Sequence, residues 1–475
     1  MLITNTENKT IVKLCPYEKS LYYYSRCGDC LVIGIAVIES EKRTILTSLL
    51  VRHALNYLKN RHPLLRAYLE HDKESDEVYL VMRDDIISFS FDEICLEWSN
   101  VYTKEALTDE LEKFNSKKFE YEKKSYLWRA KVVKFNEDDK DKYAVSFVLP
   151  LYLTDGLNIS CILIELVNII NALLIDKECE EMKVRLELVD NLNVLTSEYK
   201  LFSDKQKWAI NELRTIQNNN FILDDEFKCN ELGLKINMLK LNKKLSEKLL
   251  AKAKEKNTKL TGMLNAAIVY ALRDLYEENG LVFPSDLICG LPANLRIRYQ
   301  PNLDFSHIRF QVCLAHFNLS RPNFGDFNDI WADARHVNEL VEKCTSMEDG
   351  SLFLGTHDFE SIDLFNRMFK ECVDDEERAC KTMNKTNHCD LILSNLGTYV
   401  SSRKKIFQGP FDIKEVYHGD SLQSSPNVIS ALIFHITFWN SEIQILLSSN
   451  KSAMGTKYSE RLINLLEQII IKSVF

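Results

Sequence analysis

The order of apolar and polar positions along the chain alternates between the two-residue period of strands and the 3.6-residue period of helices. Leu31 to Ile38 is a nearly unbroken run rich in β-branched residues and predicts a buried strand. Thr44 then opens a predicted helix with Leu46, Leu49, Leu50, Ala54, Tyr57 and Leu58 on one face. It stops at Asn60-Arg61-His62-Pro63, where the proline ring forbids another turn. Val78 to Met82 predicts a strand and Lys104 to Phe114 a helix. Leu127 to Phe135 and Tyr143 to Leu149 predict a hairpin across the charged turn Asn136 to Asp141. The second of these strands runs into Pro150-Leu151-Tyr152-Leu153-Thr154-Asp155-Gly156, and a helix follows with Leu163, Leu166, Val167, Ile170 and Leu174 at helical spacing.

Residues 190–226 are polar and Asn-rich and read as a connection between halves. The α/β character resumes with a strand over Leu234, Ile236 and Met238 and two helices, the second presenting Leu264, Ala267, Ile268, Ala271, Leu272 and Leu275. Strands are expected near Leu287 to Gly290, Ile308 to Phe317, Leu391 to Ser394 and Ile429 to Trp439, and a closing helix over Tyr458 to Ile471. No short repeat exists, yet the two halves hold similar ingredients, as two related lobes would.

Sixty basic against 69 acidic side chains leave a net charge of −9, which disfavours binding to a nucleic-acid backbone. The Lys-rich stretch 248–259 spaces its charges between Leu245, Leu249 and Ala253 and reads as a solvated helix face. Met1 to Thr10 carries no apolar segment of a secretory signal, and no run reaches the roughly 18 uninterrupted apolar residues of a membrane span. The 13 scattered cysteines are an odd number, so reduced thiols and a cytoplasmic location are expected. Cys27-Gly28-Asp29-Cys30 lacks a second pair for zinc and precedes a strand rather than a helix; it reads as a turn with two free thiols, and no metal is expected.

Five landmarks in order carry a family resemblance. They are Arg61-His62-Pro63-Leu64-Leu65-Arg66, Leu127-Trp128-Arg129, Asp155-Gly156, Pro292-Ala293-Asn294-Leu295-Arg296 and Ser394-Asn395-Leu396-Gly397. Together they resemble the coenzyme A-dependent acyltransferase superfamily of alcohol acetyltransferases, nonribosomal-peptide condensation domains and wax-ester-type acyltransferases. The resemblance implies two chloramphenicol-acetyltransferase-like α/β lobes with a tunnel between them. One end would admit an acyl thioester on coenzyme A or a carrier protein, the other an alcohol or amine. Lobes are expected over residues 1–195 and 226–475, joined by 196–225. No bound cofactor is implied; the thioester is a co-substrate, and a monomer is the expected state.

That chemistry needs a base to take a proton from the attacking hydroxyl or amine. The family supplies it as the second histidine of His-His-x-x-x-Asp-Gly. Counting back from Asp155-Gly156, the two histidine positions hold Pro150 and Leu151, neither of which accepts a proton. The resemblance gives Asp155 an architectural role, paired with Arg66 or Arg296, and makes Asn294, Arg296, Ser394, Asn395 and Gly397 tunnel-lining or bracing residues. Gly156 would permit a tight turn or a close helix approach.

Substitute bases are few. Strand alternation places His435 on one face with Ile433, Thr437 and Trp439, where it is either a packed core histidine or a replacement base. His307 and His316 lie near a strand, and His53 near the apolar face of the first predicted helix, as packing. Tyr152 and Thr154 flank the motif, but a tyrosine is a poor base at neutral pH. Nucleophile-elbow, phosphate-loop and zincin motifs are absent, and Cys289 or Cys389 with a distant histidine carries little signal. The leading expectation is a divergent, weakened or inactive acyltransferase that keeps a tunnel for an acyl thioester or lipid. An active O- or N-acyltransferase with a substitute base is the second, and a scaffold with its tunnel collapsed around Leu151 and Tyr152 the third.

Overall fold

Hydrogen bonding gathers the strands into three sheets, and the apolar faces of those sheets set where the helices and the interior cavity lie. The computed structural model describes residues 2–5, 9–28, 30–40, 44–82, 95–121, 125–137, 140–189, 225–229, 231, 233–284, 286–296, 305–320, 329–345, 370, 389–403, 406–421, 430 and 432–475. The stretch read as a connection, 190–226, falls almost wholly outside them.

The first half supplies β1 (Leu2–Asn5), β2 (Lys9–Lys13), α1 (Pro16–Gly28), β3 (Leu31–Ser40), α2 (Ser48–Arg61), β4 (Ala67–Asp72), β5 (Glu77–Met82) and β6 (Leu96–Asn100). It continues with α3 (Lys104–Asn115), β7 (Arg129–Glu137), β8 (Lys140–Pro150), α4 (Gly156–Leu174) and α5 (Glu180–Lys183). The second half supplies β9 (Leu234–Leu241), α6 (Lys243–Glu255), α7 (Leu260–Glu278), β10 (Asp286–Asn294), β11 (Val312–Ser320) and α8 (Ile330–Cys344). It ends with β12 (Leu391–Gly397), α9 (Tyr399–Arg403), β13 (Phe411–Ser421), β14 (Leu432–Trp439), β15 (Glu442–Asn450) and α10 (Thr456–Val474).

These form two α/β lobes. A five-stranded sheet ordered β13-β3-β8-β7-β6 centres the first, with the smaller sheet β1-β2-β5-β4 beside it. A six-stranded sheet ordered β11-β10-β12-β14-β15-β9 centres the second. Alternation divides the second sheet cleanly. Leu432, Phe434 and Ile436 join the core under α7 and α10, while Ile433 and Trp439 join the core of the first lobe. One strand crosses over: β13, from late in the chain, pairs antiparallel with β3 along ten residue pairs from Phe411↔Ser40 to Ser421↔Leu31.

The first predicted helix starts later than expected, at Ser48, because the Thr47 hydroxyl accepts the Leu50 amide and caps it. Its buried face is Val51, Ala54, Leu55 and Leu58, so Leu49, Tyr57 and His53 point to solvent rather than into the core. The helix α4 is buried on every side, including Asn158, Glu165, Asn168 and Asn171. It is long and apolar enough to cross a bilayer, but here it is mostly buried inside the protein. Its polar groups are all used: Glu165 accepts from Arg61 Nε at 3.1 Å and His62 Nε2 at 2.7 Å, and Asn171 brackets Phe411 through both its amide atoms. The Arg-His-Pro segment thus fastens the end of α2 to α4, and the Trp128 indole donates to the Leu65 carbonyl at 2.8 Å just after it.

Candidate active site

The loop between β8 and α4 is fixed at both ends. Pro150 is the last residue of β8, in register with Leu31 of β3, and Leu151–Leu153 form one 3-10 turn. Asp155 then caps α4, its Oδ1 accepting the Asn158 amide at 3.1 Å. Of the turn residues, Tyr152, Leu153 and Thr154 are buried, whereas Leu151 is half-buried and faces the space between the lobes. Tyr152 turns away into an aromatic group, 5.8 Å from Tyr22 and 6.4 Å from Tyr121 between ring centres. It does not plug the space.

Asp155 pairs with Arg296, not with Arg66. Arg296 Nη1 meets Asp155 Oδ2 at 2.8 Å, with both side chains buried. The same guanidinium donates through Nη2 to Asn158 Oδ1 and to the Arg309 carbonyl, each at 2.7 Å. Asp155 Oδ2 also accepts the Gln311 amide, and Asn158 Nδ2 donates to the carbonyls of Phe305 and His307. Arg309 closes the set against Glu18 of α1 at 2.8 Å. This network ties the N-terminus of α4 to the second lobe. A buried pair of this kind is strongly destabilising to break, because the partner left behind is an uncompensated charge. Asn294 and Asn395 are bracing residues: Asn294 Oδ1 accepts the Arg296 amide, and Asn395 bonds Thr261 Oγ1 and the amide of Gly397. Gly397 takes a φ of +52°, a left-handed conformation that favours glycine.

Between the lobes, beside this network, lies a cavity of about 290 Å³. Hydrocarbon from Leu21, Leu151, Leu291, Phe310, Ile392 and Ile433 forms most of its wall. Its two imidazoles and one of its carboxyls come from two strands of different sheets. β13 contributes His418 and Asp420, and β14 contributes His435, with Ser394 of β12 alongside in register with His435. The His418 and His435 rings meet edge to face, 4.9 Å apart at 80°. His418 Nε2 lies 3.1 Å from Ser394 Oγ, and its Nδ1 lies 3.0 Å from Thr437 Oγ1. His435 is buried, and neither ring nitrogen has a hydrogen-bond partner among the described residues; Nε2 faces Asp420 Oδ2 at 3.9 Å, just beyond bonding distance.

Burial sets the electrostatics. It lowers His418 to about 3 and, with the neighbouring His418 ring, carries His435 well below the ordinary imidazole value, so both rings are neutral at pH 7. The surrounding protein pushes the Asp420 carboxyl up to about 7. Gly156 completes the contact between motif loop and imidazole: a Cβ there would sit 2.5 Å from His418 Cδ2.

The structure therefore brings Leu151, Asp155, Gly156, Asn294, Ser394, Asn395 and His435 to one cavity. Arg296 lies directly behind Asp155, while His307 and His316 are absent from the cavity wall. His418 and Asp420 were not visible to sequence reasoning, because their strand was not. Phe411, Ile413, Val416 and His418 would have marked it by alternation, but the register shifts between Ile413 and Glu415 and breaks the two-residue period. Cys289 and Cys389 are buried, and burial raises both thiols well above their ordinary value, away from nucleophile chemistry. Cys30 is buried at the start of β3, and the described residues hold no group of three potential metal ligands.

No family model matches the chain, and no curated protein sequence does. Solved structures do match, over nearly its whole length. The trichothecene 15-O-acetyltransferase of Fusarium sporotrichioides superposes with a TM-score of 0.69 at 12% identity, covering 98% of this chain and 96% of that one. Polyketide synthase associated protein 5 of Mycobacterium tuberculosis gives 0.63 at 13% identity, over 97% and 98%. The condensation domain of the monacolin K polyketide synthase gives 0.58 at 10% identity, over 99% and 98%. The fold is the acyltransferase and condensation fold. The two-lobed arrangement expected from the five landmarks is thus confirmed, and the loop carrying Leu151, Asp155 and Gly156 sits at the junction of the lobes.

Proposed function

We propose that the chain binds an acyl thioester in the cavity between its lobes and transfers the acyl group to an alcohol or amine, with His435 as the base that Leu151 cannot be. One observation carries this reading: a buried imidazole with both nitrogens unpartnered lines the same cavity as the motif loop. In the proposed step the acceptor passes its proton to His435 as its oxygen or nitrogen bonds to the thioester carbonyl carbon. Collapse of the tetrahedral species expels the thiolate, which takes that proton back. Asp420, 3.9 Å from the ring, would steady the imidazolium in between. The apolar wall suits an acyl chain, and the donor is coenzyme A or a carrier-protein arm.

The test is to offer acetyl- and octanoyl-coenzyme A with a panel of alcohols and amines. Turnover that falls about 10²–10⁴-fold in His435→Ala supports the assignment. Turnover unchanged in that variant removes His435 from the mechanism. A second reading, binding without turnover, draws on the hydrocarbon at position 151 and the suppressed basicity of both imidazoles. Tight binding of acyl-coenzyme A with no product from any acceptor would favour it, and acyl transfer gained in Leu151→His would then locate the lost base.

A further inference from the structure

Ser394, His418 and Thr437 form a hydroxyl–imidazole–hydroxyl chain that the transfer step above does not use. Ser394 comes from β12, His418 from β13 and Thr437 from β14, so three strands of two sheets converge on one ring. A neutral imidazole has one N–H and one lone pair. In the tautomer protonated at Nδ1, that N–H donates to Thr437 Oγ1, and Nε2 accepts the Ser394 hydroxyl. This is the arrangement an activated serine requires: nucleophile on base, and base oriented by a third group. Thr437 is buried, whereas Ser394 is half-buried and opens onto the cavity. The other groups around the ring leave it free for this role. Asp155 is held by Arg296, Asp420 faces His435, and Gly156 offers no side chain.

We infer that Ser394 is a nucleophile, which takes the acyl group from the donor as a covalent ester before an acceptor receives it. This rests on the acyl-transfer reading for its donor, and it adds a second, covalent route within the same cavity. Ser394 Oγ bonds to the thioester carbonyl carbon while its proton passes to His418 Nε2. The C–S bond then breaks, and the departing sulfur takes that proton as a free thiol. In the return step an acceptor O–H or N–H attacks the ester, its proton passing to a cavity imidazole. The Ser394 oxygen leaves, reprotonated.

The experiment is mass analysis of the intact protein and its peptides after incubation with octanoyl-coenzyme A, with p-nitrophenyl octanoate and with a fluorophosphonate. The expected result is one acyl or phosphonyl group on Ser394, absent from Ser394→Ala and formed about 100-fold more slowly in His418→Gln. Ser394→Ala removes a single oxygen, so a folded variant is available even where changes at His418 are not tolerated. Unmodified Ser394 with all three reagents, in protein that turns over acyl-coenzyme A, overturns the inference and leaves the proposed function standing. Labelling of Ser394 by the ester and the fluorophosphonate with no binding of acyl-coenzyme A supports the nucleophile and sinks the thioester donor. A lower rate in Ser394→Ala without any adduct also overturns it, since a hydrogen bond to the developing oxyanion would produce the same loss.

Discussion

At Asp155 a single side chain meets three structural demands. Its carboxylate caps α4, accepts a second-lobe amide and neutralises a buried guanidinium. Arg296→Ala is expected to lower stability by about 3–5 kcal/mol, the usual effect of stranding a buried charge. Adding Asp155→Asn should recover part of that loss, because the stranded charge is then gone while the cap oxygen remains. Denaturant unfolding of the single and double variants measures both, and equal stabilities would show that charge is not the cause. Gly156 makes a different demand. In Gly156→Ala the new methyl group reaches the His418 ring, which Ser394 and Thr437 hold on both sides. The ring must shift, so a stability loss of about 1–3 kcal/mol is expected and, under the proposed function, a fall in acyl transfer. Retained activity in that variant would mean that the ring position is not critical.

Among the elements, β13 decides the site. It is the edge strand of the first-lobe sheet, yet its free side is not left to water. Gln444 of β15 accepts the Val416 amide at 2.7 Å, and Trp439 and Asn440 both donate to the Ile413 carbonyl at 2.9 Å. Side chains of the second lobe therefore stand in for a missing neighbour strand and set the position of His418, two residues beyond Val416. Gln444→Leu leaves that amide buried without a partner and is expected to destabilise by about 1–3 kcal/mol. Faster amide exchange confined to β13 would be its signature. Exchange unchanged in β13 would show that pairing with β3 alone fixes the strand.

For the molecule as a whole, buried ionisable groups on both lobes set the dependence of stability on pH. Asp390, beside β12, has its carboxyl raised to about 7 by burial, against the opposing hydrogen bond from the Ile288 amide. Between about pH 4 and 7 the unfolded chain releases this proton while the folded chain keeps it. The folded state then binds more protons, and stability falls as pH rises through that window. Asp390→Asn removes this effect and keeps an acceptor for Ile288. Its melting temperature should exceed that of the parent at pH 8, with the gap closing towards pH 4. A gap independent of pH would rule out the ionisation. His418 and His435 act oppositely: their lowered values make the fold lose stability as pH drops below about 6.5, where the unfolded imidazoles gain protons.

The sequence by itself determined the local elements and the loop residues Pro150, Leu151 and Asp155. Period-2 and period-3.6 patterns marked the hairpin β7–β8, the buried α4 and the apolar face of α7, because each is specified by neighbours within a few residues. The family resemblance marked Leu151 as a hydrocarbon at the position where its relatives keep a base, and alternation grouped His435 on one sheet face with Ile433, Thr437 and Trp439. Tertiary structure alone decided the rest. The choice of Arg296 over Arg66, the delivery of His418 and Asp420 by a bulged strand, and the meeting of Ser394 with an imidazole 24 residues away all depend on contacts between lobes. Such contacts join residues whose separation along the chain leaves no periodic trace, so only packing brings them together.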